Sequence, residues 1–140
     1  EVQGGRSGVG TILTTLASGN VGIGSTNPGY PLDVNGTARV TTLIETSSKR
    51  YKKNIKDLSP QLQVISDLRP VTFKWKDKTK GEDIQYGLIA EEVQKIIPEA
   101  VALNDKGETE AVSYTKLVPI LIKAVQELQA KVEALENKRQ

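Results

Sequence analysis

The chain has 140 residues, with 37% hydrophobic, 4% aromatic and 26% charged side chains and a formal net charge of +2. It contains no cysteine and no histidine, which excludes disulfide frameworks, thiol proteases, zinc fingers and histidine-based triads. One Phe, one Trp and four Tyr are few large apolar side chains for a core of this size, so self-association is expected.

Composition changes after Thr46. Residues 1–46 hold nine of the twelve glycines and only five charged side chains, whereas residues 47–140 hold three glycines and 31 charges. In the first part, runs such as Thr11-Ile12-Leu13-Thr14-Thr15-Leu16 and Asn20-Val21-Gly22-Ile23-Gly24 are β-formers punctuated by turn residues, without helical period. Asn27-Pro28-Gly29 predicts a turn, Pro31-Leu32-Asp33-Val34 a short strand, Asn35-Gly36 another turn, and 37–44 a longer strand. The alternation is too regular for a flexible linker. Residues 1–46 are therefore expected to be the end of a fibrous β stem whose strands find partners in other chains.

Residues 47–140 predict a small mixed α+β domain. Ser59-Pro60 is a helix start, an N-cap followed by proline at the first helical position, with Leu62, Ile65 and Leu68 on the apolar face and Arg69-Pro70 as the stop. Val71, Phe73 and Trp75 alternate with Thr72, Lys74 and Lys76 as in a half-buried strand. A polar loop at 77–83, a strand at 86–89 and a short helix at 90–97 ended by Pro98 follow. Strands at 100–103 and 109–112 flank Asn104-Asp105-Lys106-Gly107, a hairpin signal. From Tyr114 to the end the chain reads as one helix. On it Val118, Leu121, Val125, Leu128, Val132 and Leu135 are spaced 3, 4, 3, 4, 3, with Val at every a and Leu at every d position of a heptad. That seam predicts a parallel helical bundle between copies, without fixing how many.

Without His or Cys, hydrolytic chemistry needs a Ser or Thr with a Lys base, or paired carboxylates. Glu91 and Glu92 are adjacent on a helix and diverge by about 100°, so they do not face one substrate together. Gly22-x-Gly24 lacks the third glycine and the following helix of a dinucleotide site. The basic run Lys49-Arg50-Tyr51-Lys52-Lys53 with Lys56 has a single aromatic, which suits a solvated face better than a nucleic-acid groove. It lies directly behind Ser47 and Ser48, at the composition break, and a neutral lysine can take the proton of a serine hydroxyl.

The string Ser47-Ser48-Lys49-Arg50-Tyr51-Lys52-Lys53-Asn54-Ile55 resembles the opening signature of the C-terminal intramolecular chaperone domains of phage tailspikes and tail fibres, the endosialidase-type S74 peptidase family. Ser47, Arg50, Lys52, Asn54 and Ile55 fall in place, while Ser48 stands where the family usually has Asp. Three further stretches look like the same family: Leu68-Arg69-Pro70-Val71-Thr72-Phe73-Lys74-Trp75, Tyr86-Gly87-Leu88-Ile89-Ala90-Glu91-Glu92-Val93 through Ile97-Pro98-Glu99, and Val112-Ser113-Tyr114 with the closing helix. Ahead of them, Asn20-Val21-Gly22-Ile23-Gly24 and Leu32-Asp33-Val34-Asn35-Gly36 are similar to segments that precede such domains in fibre proteins.

The resemblance implies a homotrimer whose 47–140 part folds the upstream β segment of the same chains and then releases itself. Ser47 would be the nucleophile, Lys52 its base, and the 46–48 boundary (Thr46, Ser47, Ser48) the place of scission, on either side of Ser47. It further implies action in the host cytoplasm during phage assembly, with the fibre part ending in the virion tail. No cofactor, metal, nucleic acid or membrane is expected. The rival expectation is a covalently retained trimerisation cap in which Ser47 and Lys52 are inert.

Overall fold

In the computed structural model, which describes residues 13–139, the chain divides between Tyr51 and Lys52 into two units. The first contains three short strands, β1 (Leu13–Thr15), β2 (Val21–Ile23) and β3 (Leu32–Val34), in the order β1-β2-β3. β1 and β2 are antiparallel, with Thr14 opposite Gly22, and β2 and β3 are parallel, with Gly22 opposite Asp33. These strands pair within the chain, where the sequence pointed to partners in other chains. The pairing is possible because the 24–31 connection folds tightly. The Asp33 carboxylate accepts from Ser25 Oγ and the Gly29 N–H, both at 3.2 Å, and Asn20 Nδ2 donates to the Pro28 carbonyl at 3.0 Å. Gly22 is required at the centre, since a Cβ there would run into the Ser25 carbonyl oxygen. Thr11 and Ile12 of the first expected strand lie outside the described residues.

The strand expected at 37–44 does not form. Its Val40, Leu43 and Ile44 are exposed. An extended segment with no neighbour has nothing to satisfy its backbone groups but water, and it gains no ladder.

The second unit is mixed α+β, as its sequence patterning indicates. Helix α1 (Leu62–Asp67) leads to β4 (Val71–Phe73), which pairs antiparallel with β5 (Gln85–Gly87). Helix α2 (Ala90–Ile96) is followed by a 3-10 turn, Pro98–Ala100, and by the hairpin of β6 (Val101–Leu103) and β7 (Thr109–Val112). Its turn is closed by Asn104, whose Oδ1 accepts from the N–H groups of Lys106 and Glu108 at 3.0 and 2.9 Å, and by Gly107 at φ 78°. Helix α3 (Leu117–Asn137) closes the described chain. Among the described residues no helix is long and apolar enough to cross a membrane.

Several boundaries differ from expectation; β5, expected at 86–89, covers Gln85–Gly87. α1 begins at Leu62, and Ser59 and Pro60 stay outside it. Trp75 lies beyond β4 and is partly exposed, in a T-shaped contact with Phe73 at 5.1 Å and with Lys80 Nζ 5.2 Å from its ring centroid. α3 starts at Leu117, preceded by a 3-10 turn, Tyr114–Lys116. The Ser113 N–H donates to the Ala100 carbonyl at 2.8 Å and Tyr114 Oη accepts the Leu88 N–H at 2.9 Å, which ties this stretch to its neighbours and keeps it out of the helix.

The core of the second unit is Val93, Ile97, Ala100 and Leu117, with Val64, Leu68, Leu88, Val101, Val112 and Ile120 packed partly buried around it. Proline at 98 stops α2 so that Ile97 and Ala100 both turn inward, and Thr109 Oγ1 donates to Gln94 Oε1 at 2.5 Å, joining β7 to α2. Burial of Val93, Ile97 and Leu117 stabilises the fold by about 1.5–3 kcal/mol each.

Candidate functional site

The boundary segment is exposed throughout, from Thr46 to Lys56. Ser47 stands near the end of the first unit, and Lys52 opens the second. Between them lies a 3-10 turn, Lys49–Tyr51, closed by the Tyr51 N–H on the Ser48 carbonyl at 3.0 Å. Arg50 lies over the Tyr51 ring at 4.7 Å, a cation–π contact that occupies the guanidinium and the one aromatic of the basic run. Asn54 has φ 55°, the one described non-glycine residue in the left-handed region, and asparagine tolerates it because its short side chain bonds locally. The stretch that joins the two units therefore turns twice within eight residues, at 49–51 and at 54.

Glu91 and Glu92 do not form a carboxylate pair. Glu92 is bound by Arg69, with Nη2 to Oε1 at 2.5 Å and Nε to Oε2 at 3.1 Å. The hydrogen bond from Arg69 and its charge hold the Glu92 carboxyl below the usual range and raise the guanidinium. Asp77 is likewise lowered, first by the Thr79 hydroxyl at 2.7 Å and then by the Thr79 N–H. Both carboxylates are spoken for by structure. Among the described residues no group of three or more His, Cys, Asp or Glu side chains comes together as a metal site would need. An open hollow of about 580 Å³ between Pro70, Tyr86 and Tyr114 contains none of the boundary residues.

The helical seam is placed as a seam requires. Val118, Leu121, Val125, Leu128, Val132 and Leu135 are all on α3 and each is between 46% and 62% exposed. Ile122, beside them, is also exposed. An adjacent side of α3, about 100° round the helix, packs on its own chain through Leu117, Ile120 and Ala124, against the core and α1. One helix thus carries two apolar rows, one used within the chain and one left outward.

Two contacts were not read from the sequence. The Glu127 carboxylate of α3 receives the N–H groups of Gln61 and Leu62, 66 and 65 residues away, at 2.6 and 3.3 Å. Asp33 organises the 24–31 loop, and its place between Leu32 and Val34 was its single hint, as a charge inside a strand.

Residues 47–102 match the family model described as Peptidase_S74, chaperone of endosialidase. The chain is 30% identical over 97 residues, 66% of its length, to the long tail fiber protein Gp37 of Enterobacteria phage K3. It shows the same identity over the same length to the long tail fiber protein Gp37 of Enterobacteria phage T2. The matched stretch makes up 8% and 7% of those two proteins, so the chain corresponds to a small part of each.

Proposed function

Because residues 47–102 carry a chaperone-of-endosialidase (Peptidase_S74) domain, we propose that residues 47–140 bring three copies of the chain together and hold residues 1–46 while those fold. The domain then cuts itself free. The observation that carries the assembly half of this reading is the outward row of α3, six exposed Val and Leu side chains in strict heptad spacing. Val at a and Leu at d alone would favour two strands. Ile122 widens the row in the first heptad beyond what one neighbouring helix covers, which favours three.

Assembly by α3 would answer a kinetic problem. Pairing strands between chains is non-local and slow, and joining the copies at one end raises the effective concentration of the segments ahead. Once those segments have folded together, removing the assembling domain leaves the product kinetically trapped. On the footing of the tail-fibre relatives, the domain acts in the host cytoplasm and the segment ahead of it enters the virion tail.

For release, Lys52 as a neutral amine takes the Ser47 hydroxyl proton as Oγ attacks the Thr46 carbonyl carbon. The Thr46–Ser47 C–N bond breaks, the proton passes to the Ser47 nitrogen, and Thr46 is left as an ester on Oγ. Water hydrolyses the ester, giving a Thr46 carboxylate and a Ser47 with free amine and hydroxyl. The turn at 49–51 supports this reading, since five residues of regular helix or strand would keep the two side chains apart.

A mass spectrum of freshly purified protein tests it. Wild type is expected as two pieces cut at 46–48, with Ser47→Ala and Lys52→Arg intact and Ser48→Ala still cut. Arginine keeps the charge but stays protonated, so it does not replace the base. Processing of Lys52→Arg at the wild-type rate would overturn the dyad and leave a permanently attached trimer cap.

A further inference from the structure

The inner row of α3 runs Leu117, Ile120, Ala124, Glu127, and its last member is not apolar. Glu127 Oε1 accepts the Gln61 N–H at 2.6 Å and Oε2 the Leu62 N–H at 3.3 Å. These are two of the donors that the start of a helix leaves without an intrahelical partner. Nothing local serves them. Gln61, at the N-cap of α1, makes no side-chain cap, and its amide group turns back to the Ser59 carbonyl at 3.0 Å. Gln61 is also the one polar or charged residue classed as buried among those described.

Glu127 stands at a border within α3. Toward the N-terminus the helix packs on its own domain through Leu117, Ile120 and Ala124. Beyond it, every described residue from Leu128 onward is exposed. About three unsupported turns are marginal as a helix in water, and fraying from the free end reaches back toward Glu127. The next residue, Leu128, belongs to the outward row.

We infer that Glu127 is a latch between assembly and the boundary segment. Burial of Leu128, Val132 and Leu135 between copies stiffens the far half of α3 and holds the carboxylate on the two N–H groups. The start of α1 is then fixed, and with it the end of the exposed 52–60 stretch that leads from Lys52. In a lone chain the far half frays, the carboxylate loosens, and α1 loses its first donors' partner. Linkage requires the reverse as well: whatever factor association adds to the latch, opening the latch removes from association. Glu127 is a positioning residue, and the inference rests on the proposed association through α3.

The test uses the full chain carrying Ser47→Ala, so that processing does not alter the sample. Amide exchange is followed at Gln61 and Leu62, with Val93 and Ile97 as a gauge of the core, alongside sedimentation. Glu127→Gln is expected to speed exchange at 61 and 62 by about tenfold or more while the core amides hold. Leu128→Asp is expected to dissociate the assembly and to release the same two amides although Glu127 is intact. Dissociation with undiminished protection at 61 and 62 overturns the latch alone. An assembly that survives Leu128→Asp overturns the association reading, and the latch with it. If Glu127→Gln also frees the core amides, the Leu128→Asp arm decides.

Discussion

The two units dispose of their apolar side chains differently. In the first, the described residues classed as buried are Gly22 and Pro28, and the sheet is held by backbone ladders and the Asp33 carboxylate. In the second, Val93, Ile97, Ala100 and Leu117 form a real apolar cluster, and a further row of Val and Leu faces outward along α3. The first unit leaves its large apolar side chains, Leu32, Leu43 and Ile44 among them, exposed without gathering them into a core. The second gathers some into a core and lines up others along the outward face of α3. Copies of such a chain that meet through the second unit would bury a continuous row, since there the exposed Val and Leu side chains line one face of a helix.

The largest expected effect attacks that outward row. Leu128→Asp would place an unpaired charge between helices, at a cost of several kcal/mol, and sedimentation should show monomer where wild type is assembled. Next comes a matched pair that separates the units. Val93→Ala removes a side chain that is 1% exposed and should lower the stability of the second unit by about 2 kcal/mol in urea. Gly22→Ala drives a Cβ into the Ser25 carbonyl and should cost the first unit about 1–3 kcal/mol, leaving exchange at Val93 unchanged. Should Gly22→Ala also loosen Val93, the division between the units would be wrong.

A smaller effect is expected from Tyr114→Phe. It removes the acceptor of the Leu88 N–H and should destabilise the second unit by about 1 kcal/mol in the same titration. Smallest is Glu92→Gln, because the Arg69 pair is exposed and such pairs contribute little. Its sign is still definite. The Glu92 carboxyl is lowered in the fold, so its contribution is present above the ordinary carboxylate range and lost as pH falls through the lowered value. The difference between Glu92→Gln and wild type should therefore shrink in acid. A difference that grows instead would mean Glu92 is not stabilised by Arg69.

Most of the second unit was legible in the sequence because its signals are local. Proline at 98 ends α2, Asn104 and Gly107 make the hairpin turn, and the 3, 4 spacing sets the outward face of α3. The start of α1 was misplaced because its cap is Glu127, more than sixty residues away, and Ser59-Pro60 imitates a local one. The 37–44 strand was misread because β-branched alternation reports a capacity to pair without supplying the neighbour. At the boundary, the residue types of Ser47 and Lys52 and the need for a turn between them were readable, while the conformation of Asn54 was not.

The ties just ahead of α3 set its azimuth. Ser113 is bonded to Ala100, Tyr114 to Leu88, and Lys116 Nζ to the Glu99 carbonyl at 2.6 Å, so the helix leaves the domain at a fixed rotational phase. Each residue of helix turns the next side chain by about 100°. Deleting one residue just ahead of Leu117 would swing the Val and Leu row around onto α1 and carry Ala124 and Glu127 out to solvent. The hairpin and its flanking turns thus fix the compass bearing of a surface more than two helical turns away, and a length change of one in this stretch would matter more than most substitutions along the helix itself.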